Sequence, residues 1–120
     1  MEDFTTWKVN GLELHLDIED ADTAEKYETA MDQLESDFPK DKSGGTSAYI
    51  RAHCRAFRTL YDTLFGDGTA DQIFDGISDN MRKYTTVYGE FLAFISKQAA
   101  QSQAEMVQLR RKYLPKGGKR

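Results

Sequence analysis

Apolar and polar positions change period several times along this chain. From Leu12 to Asp17 the alternation is strict, with Leu12, Leu14 and Leu16 separated by Glu13, His15 and Asp17. That is the period of a strand with one wet face. Residues 5–9 (TTWKV) precede it, with Trp7 and Val9 at the same spacing. Asn10-Gly11 lies between the two runs. This dipeptide suits a type I′ turn, whose two central residues both need positive φ. The pattern predicts a β-hairpin over 5–17, with His15 on its polar face. A lone hairpin is marginal in water, so this one must lie on helices or gain strands from another chain.

Beyond the hairpin the period lengthens. Ala24, Tyr27, Met31 and Leu34, with Phe38 just beyond, form one helical stripe. Asp22 and Glu25 have capping-box spacing, and Pro39 stops the helix after about Asp37. Residues 39–47 (PKDKSGGTS) read as a flexible connector. A second helix is predicted over about 48–64, capped by Thr46 or Ser47, with Ile50, Cys54, Phe57, Tyr61 and Leu64 as its stripe. Gly66 reads as its C-cap with positive φ. Thr69 is expected to cap a short helix over about 70–74, which Gly76 ends. Ser78 or Asn80 starts the last helix. Its wide apolar face is Met81, Tyr84, Val87, Tyr88, Phe91, Leu92 and Ile95, flanked by Phe94. After Lys97 the large apolar groups stop (QAAQSQAE), until Val107, Leu109 and Tyr113, with Met106 beside them, restore a modest stripe. Pro115 and Gly117-Gly118 end the helix.

The predicted fold class is mainly α with a small N-terminal β-hairpin, a compact helical bundle and an extended C-terminal helix. Residues 1–97 make the hairpin and helical domain. Residues 98–120 make a polar helical extension and basic tail. Charge sharpens that division. Residues 1–40 carry twelve acidic and three basic side chains, net −9. Residues 41–100 carry seven of each, and residues 101–120 carry Glu105 against six basic residues, net +5. The three parts sum to the chain's −4. The acidic front disfavours nucleic acid, while the basic tail reads as a solvated, weakly specific end or as a surface for an acidic partner or a second copy.

Candidate chemistry is sparse. A single cysteine, Cys54, leaves no internal disulfide and nearly excludes a cysteine-based zinc site. His53 is its neighbour in sequence, but adjacent helical residues point about 100° apart, which argues against a Cys-His pair. The carboxylates Asp17, Glu19, Asp20 and Asp22 lack the pattern of a calcium loop, and Gly44-Gly45 lack that of a phosphate loop. Asp67, Asp71 and Asp75 recur every four residues with no further ligand nearby. Arg51, Arg55 and Arg58 share a helix face and are expected to pair with the acidic first helix. No cofactor, no metal and no enzymatic activity are expected. No apolar run approaches a membrane span, and the N-terminus lacks the apolar stretch of a signal peptide. A soluble protein of a reducing cytoplasm is the expectation.

Two segments carry a resemblance. One is Val9 to Asp17 followed by Asp20-Ala21-Asp22-Thr23-Ala24-Glu25-Lys26-Tyr27-Glu28. It looks like the opening of small tail proteins from phages and prophages of Gram-positive bacteria. The other is Phe65-Gly66-Asp67-Gly68-Thr69-Ala70-Asp71-Gln72-Ile73-Phe74, similar to their Phe-Gly-Glu-Gly-Thr-Ala-x-x-(Ile/Leu)-Phe corner, with Asp67 where Glu is common. The chain thus resembles tail assembly chaperones of long-tailed phages. The resemblance implies a protein that coats the tape measure protein until tail tube subunits displace it. It would act in the host cytoplasm and be absent from the mature virion. The family implies no catalytic residue.

For such a role Tyr84, Tyr88, Phe91 and Ile95 are the candidate apolar contacts, and Arg110, Arg111 and Lys112 the candidate charged ones. Each of the four apolar residues has a rival reading as core of this chain. Two rival functions stand beside the chaperone. One is a small phage-encoded DNA-binding or host-inhibitory regulatory protein, and the other a structural tail connector. Self-association, through the hairpin edge or the last helix, stays open.

Overall fold

The computed structural model describes residues 3–114. Strands β1 (Thr6–Val9) and β2 (Leu12–His15) precede helices α1 (Ala21–Asp37), α2 (Thr46–Phe65), α3 (Thr69–Ile73) and α4 (Met81–Tyr113). The fold is a small N-terminal β-hairpin followed by helices, the last of them long.

The hairpin has the register its turn dictates. Val9 faces Leu12 and Trp7 faces Leu14 across a two-residue loop. Asn10 and Gly11 take φ of 47° and 77°, as a type I′ turn requires. The Asn10 side chain also donates to the Ile73 carbonyl at 2.9 Å, which ties the turn to the end of α3. Trp7 and Val9 are buried and Leu12 and Leu14 half-buried, so the apolar face lies on the helices. The Trp7 ring has Phe91 at 5.2 Å, Tyr61 at 5.7 Å and Phe65 at 6.2 Å between centroids. A large ring anchored on three others fixes the hairpin far better than its own ladder could.

Helix α1 starts two residues earlier than the capping-box spacing suggests. Asp20, in extended backbone, accepts from the Thr23 amide at 3.2 Å and is the N-cap. Asp22 then lies in the first turn, where the helix dipole still favours a carboxylate. Helix α2 starts at Gly45, whose φ of 98° turns the chain without a side-chain cap. It is the central helix, burying Cys54, Ala56, Phe57, Leu60, Tyr61 and Leu64.

The glycine-rich corner after α2 has a clear mechanical basis. Gly66 and Gly68 take φ of 113° and 91°, which L side chains rarely adopt. The Ala70 amide donates to the Asp62 carboxylate at 2.8 Å, so α3 is capped from α2 and not by Thr69. Thr69 is itself buried as the first residue of α3. The corner delivers Phe74 onto Tyr84, with ring planes 5° apart and centroids at 3.8 Å. The arginine row of α2 also differs from expectation. Arg58 pairs with Asp71 at 2.7 Å and Arg51 with Asp79 at 3.9 Å, so the row serves α3 and the approach to α4 rather than α1.

Asn80 caps α4, accepting from the Lys83 amide at 2.9 Å. Its 33 residues span about 50 Å at 1.5 Å per residue. One polar side chain fixes where the helix meets the body. Gln98 is fully buried. Its amide oxygen accepts from the Ile18 amide at 2.7 Å, and its nitrogen donates to the Leu16 carbonyl at 2.9 Å and the Phe4 carbonyl at 3.3 Å. One turn later the Ser102 hydroxyl donates to Glu19. The helix therefore leaves the body after Ser102, one turn beyond Lys97.

Gln98→Leu keeps the volume but strands the Ile18 amide and the Leu16 carbonyl. The expected loss is about 2–4 kcal/mol. Urea denaturation would read it as a lower midpoint with an unchanged slope, and an unchanged midpoint would mean that the clamp is incidental.

Candidate functional site

The apolar face of α4 continues past the body without changing phase. Tyr84, Tyr88, Phe91, Ile95, Gln98, Ser102, Met106, Leu109 and Tyr113 follow one another at spacings of three and four. Up to Ser102 this face is covered by the rest of the chain. Beyond it Met106 is 37% exposed, Leu109 46% and Tyr113 66%, with Val107 and Leu114 exposed at the side. Residues 103–114 thus form an arm about 18 Å long. One side is apolar and bare, and Arg110, Arg111 and Lys112 occupy its last turn. Cations there are favoured by the helix dipole.

The residues expected to bind a partner fall into two groups. Tyr84 and Phe91 are fully buried. Tyr88 and Ile95 are half-buried and packed against the core, Tyr88 with its ring 4.9 Å from Phe57. In this fold all four support the chain's own interior, and Tyr84 and Phe91 present no surface to a partner. Arg110, Arg111 and Lys112 are exposed, and none joins an ion pair among the described residues. The exposed apolar surface lies instead at Met106, Leu109 and Tyr113. Its signal in the sequence is a modest stripe resuming after the polar run 98–105.

The groups with intrinsic reactivity are arranged for packing. Cys54 is fully buried and its thiol pushed up to about 11, chiefly by burial and then by the charge of Asp79. It is a poor nucleophile near neutral pH. His53 sits among Phe38 and Phe57, with ring centroids at 5.0 and 5.1 Å, and its Nδ1 has no partner among the described residues. Burial holds its pKa below the ordinary 6.5. His15 is exposed and bonded to the Thr5 hydroxyl at 3.1 Å. Among the described residues no three of His, Cys, Asp or Glu gather where they could hold a metal. A groove of about 500 Å³ runs between the hairpin and α4. Lys8, Glu13 and Glu90 line it around Phe94, a mixed, open surface without a convergent acid and base.

Two measurements separate body from arm. Phe91→Ala is expected to cost about 3–5 kcal/mol, as emptying a packed aromatic site does. Leu109→Ala is expected to change stability by less than about 0.5 kcal/mol. Equal costs in urea denaturation would place Leu109 in the core. The second measurement concerns His53. The unfolded chain takes up a proton that the folded chain resists, so this group's contribution is full above its ordinary pKa. It is lost as pH falls through the lowered folded value. Wild type is expected to lose more stability than His53→Phe between about pH 7.5 and 5. Parallel pH profiles of urea midpoints would contradict this.

Comparison with curated proteins and with solved structures gives no match. The sequence pattern of one family covers residues 10–120, nearly the whole chain. This span includes the Asn10-Gly11 turn and the glycine corner. The chain belongs to the family of unknown function DUF6673.

Proposed function

We propose that this chain is a tail assembly chaperone of a long-tailed phage or prophage. In this reading it holds the tape measure protein until tail tube subunits displace it. The observation that carries the reading is the arm. A preformed helix bears an apolar stripe in phase with the core face, exposed beyond Ser102, and ends in three basic residues. Such a surface suits a long helical client laid alongside it.

The energetics suit reversible holding. Each large apolar side chain of the arm gains about 1.5–3 kcal/mol on full burial. Loss of translational and side-chain freedom offsets much of that sum. Each arm then binds weakly, and many copies along one client hold it together. Arg110, Arg111 and Lys112 add attraction toward acidic segments, which salt weakens. The role belongs in the host cytoplasm, with the protein absent from the finished virion. Among the described residues no helix is long and apolar enough to cross a membrane.

Co-expression with the tape measure protein of the same phage or prophage tests the role. Size-exclusion chromatography with light scattering is expected to show a soluble complex carrying many copies of this chain. A chain ending at Ser102 is expected to lose or weaken it. A tape measure protein that stays insoluble, or a complex indifferent to the truncation, would overturn the proposal.

A further inference from the structure

The arm is also complementary to itself. Met106 and Tyr113 occupy one set of core positions of a heptad, and Ser102 and Leu109 the other. Glu105 and Lys112 then lie along one flank of the stripe, and Gln103 and Arg110 along the opposite flank. In an antiparallel pair the two sets of core positions meet each other, and each flank meets the same flank of its partner. Met106 of one copy falls opposite Leu109 of the other. Tyr113 reaches the base of the partner's arm, beside the link where Glu19 covers Ser102. Glu105 falls opposite Lys112, twice by symmetry.

We propose that two copies of this chain pair through antiparallel α4 arms in a two-fold dimer, which covers the stripe in the free protein. Three arguments favour a second copy in this arrangement. The first is charge. Glu19 accepts from Ser102 at the base of the arm, and Asp17, Asp20 and Asp22 flank it in sequence. Neither these carboxylates nor Arg110, Arg111 and Lys112 join an ion pair among the described residues. Antiparallel pairing brings the basic tip of each arm to the acidic base of the other. The second is direction. A parallel pair would set the two basic tips together. It would also drive the bodies into each other, since the stripe is in phase with the face that each body covers. The third is closure. The contact uses the same patch on both copies, so it stops at two. The interface is small beside standard ones, and a micromolar dimer is expected. The inference concerns the protein alone and does not depend on any client.

Sedimentation equilibrium of the full chain, across concentration, tests it. Wild type is expected to show a monomer–dimer equilibrium. Glu105→Lys and Lys112→Glu each replace two attractive pairs by two repulsive ones. Each alone is expected to weaken the dimer by about tenfold or more. An equimolar mixture restores opposite charges at both pairs and is expected to return affinity to within about threefold of wild type. Leu109→Asp is expected to leave a monomer with unchanged far-UV circular dichroism, since its site lies off the core. A wild-type monomer at every concentration would overturn the proposal. So would a dimer indifferent to Leu109→Asp, a mixture no tighter than either variant alone, or open-ended assemblies.

Discussion

The fold turns on one buried amide. Gln98 holds the Ile18 amide, the Leu16 carbonyl and the Phe4 carbonyl at once. Phe4 precedes β1, and Leu16 and Ile18 lie in the link between β2 and α1, so a single side chain fixes two backbone segments against α4. Much else follows from that fixed point. It sets where the chain turns into the Asp20 cap, and so where α1 begins. It brings the hairpin down so that Trp7 reaches Phe91 and Tyr61. It also fixes the rotation of α4 at the turn where the body ends. A buried amide without partners would be costly, and with three it gives the junction one geometry.

The arm keeps its shape for local reasons. Residues 98–112 are rich in Gln, Ala, Glu, Met, Leu, Arg and Lys, all good helix formers, with Val107 the one β-branched residue. The body supplies a formed helix to extend, so no new nucleus is needed. The basic last turn meets the negative end of the dipole. A partner therefore meets a surface that is already ordered, and the entropy cost of binding falls mainly on the partner. The same arm serves both proposed roles, self-pairing when free and client holding when a helix competes for the stripe.

What the sequence made legible was local. The hairpin register follows from Asn10-Gly11 and a two-residue period. Pro39 and Gly66 end helices by their own backbone limits, and Asn80 caps one. The features that escaped are set by distant neighbours. Asp20 replaces Asp22 as a cap because the link before it is tied to α4. Asp62 caps α3 from another helix. Arg51 and Arg58 find Asp79 and Asp71 because the glycine corner folds α3 back against α2. Gln98 was invisible, a glutamine in a run of polar and small residues. For the candidate site, the basic end at Arg110 to Lys112 was readable as an exposed feature. Which part of the α4 stripe is core and which is surface depends on where the body stops, and the stripe itself carries no mark of that.

Peptide-resolved hydrogen exchange along α4, with and without the tape measure protein, tests the central claim most directly. The claim is that one helix has two regimes meeting at Ser102, and that the outer one is the binding surface. In dilute protein alone, residues 81–102 should be protected to near the global stability, and residues 103–114 should be less protected, as a formed but solvated helix end is. With the tape measure protein, new protection should appear at 103–114 and leave the hairpin and α1 unchanged. Uniform protection along α4 in protein too dilute to self-associate, or new protection on the hairpin and α1 with none on the arm, would contradict it.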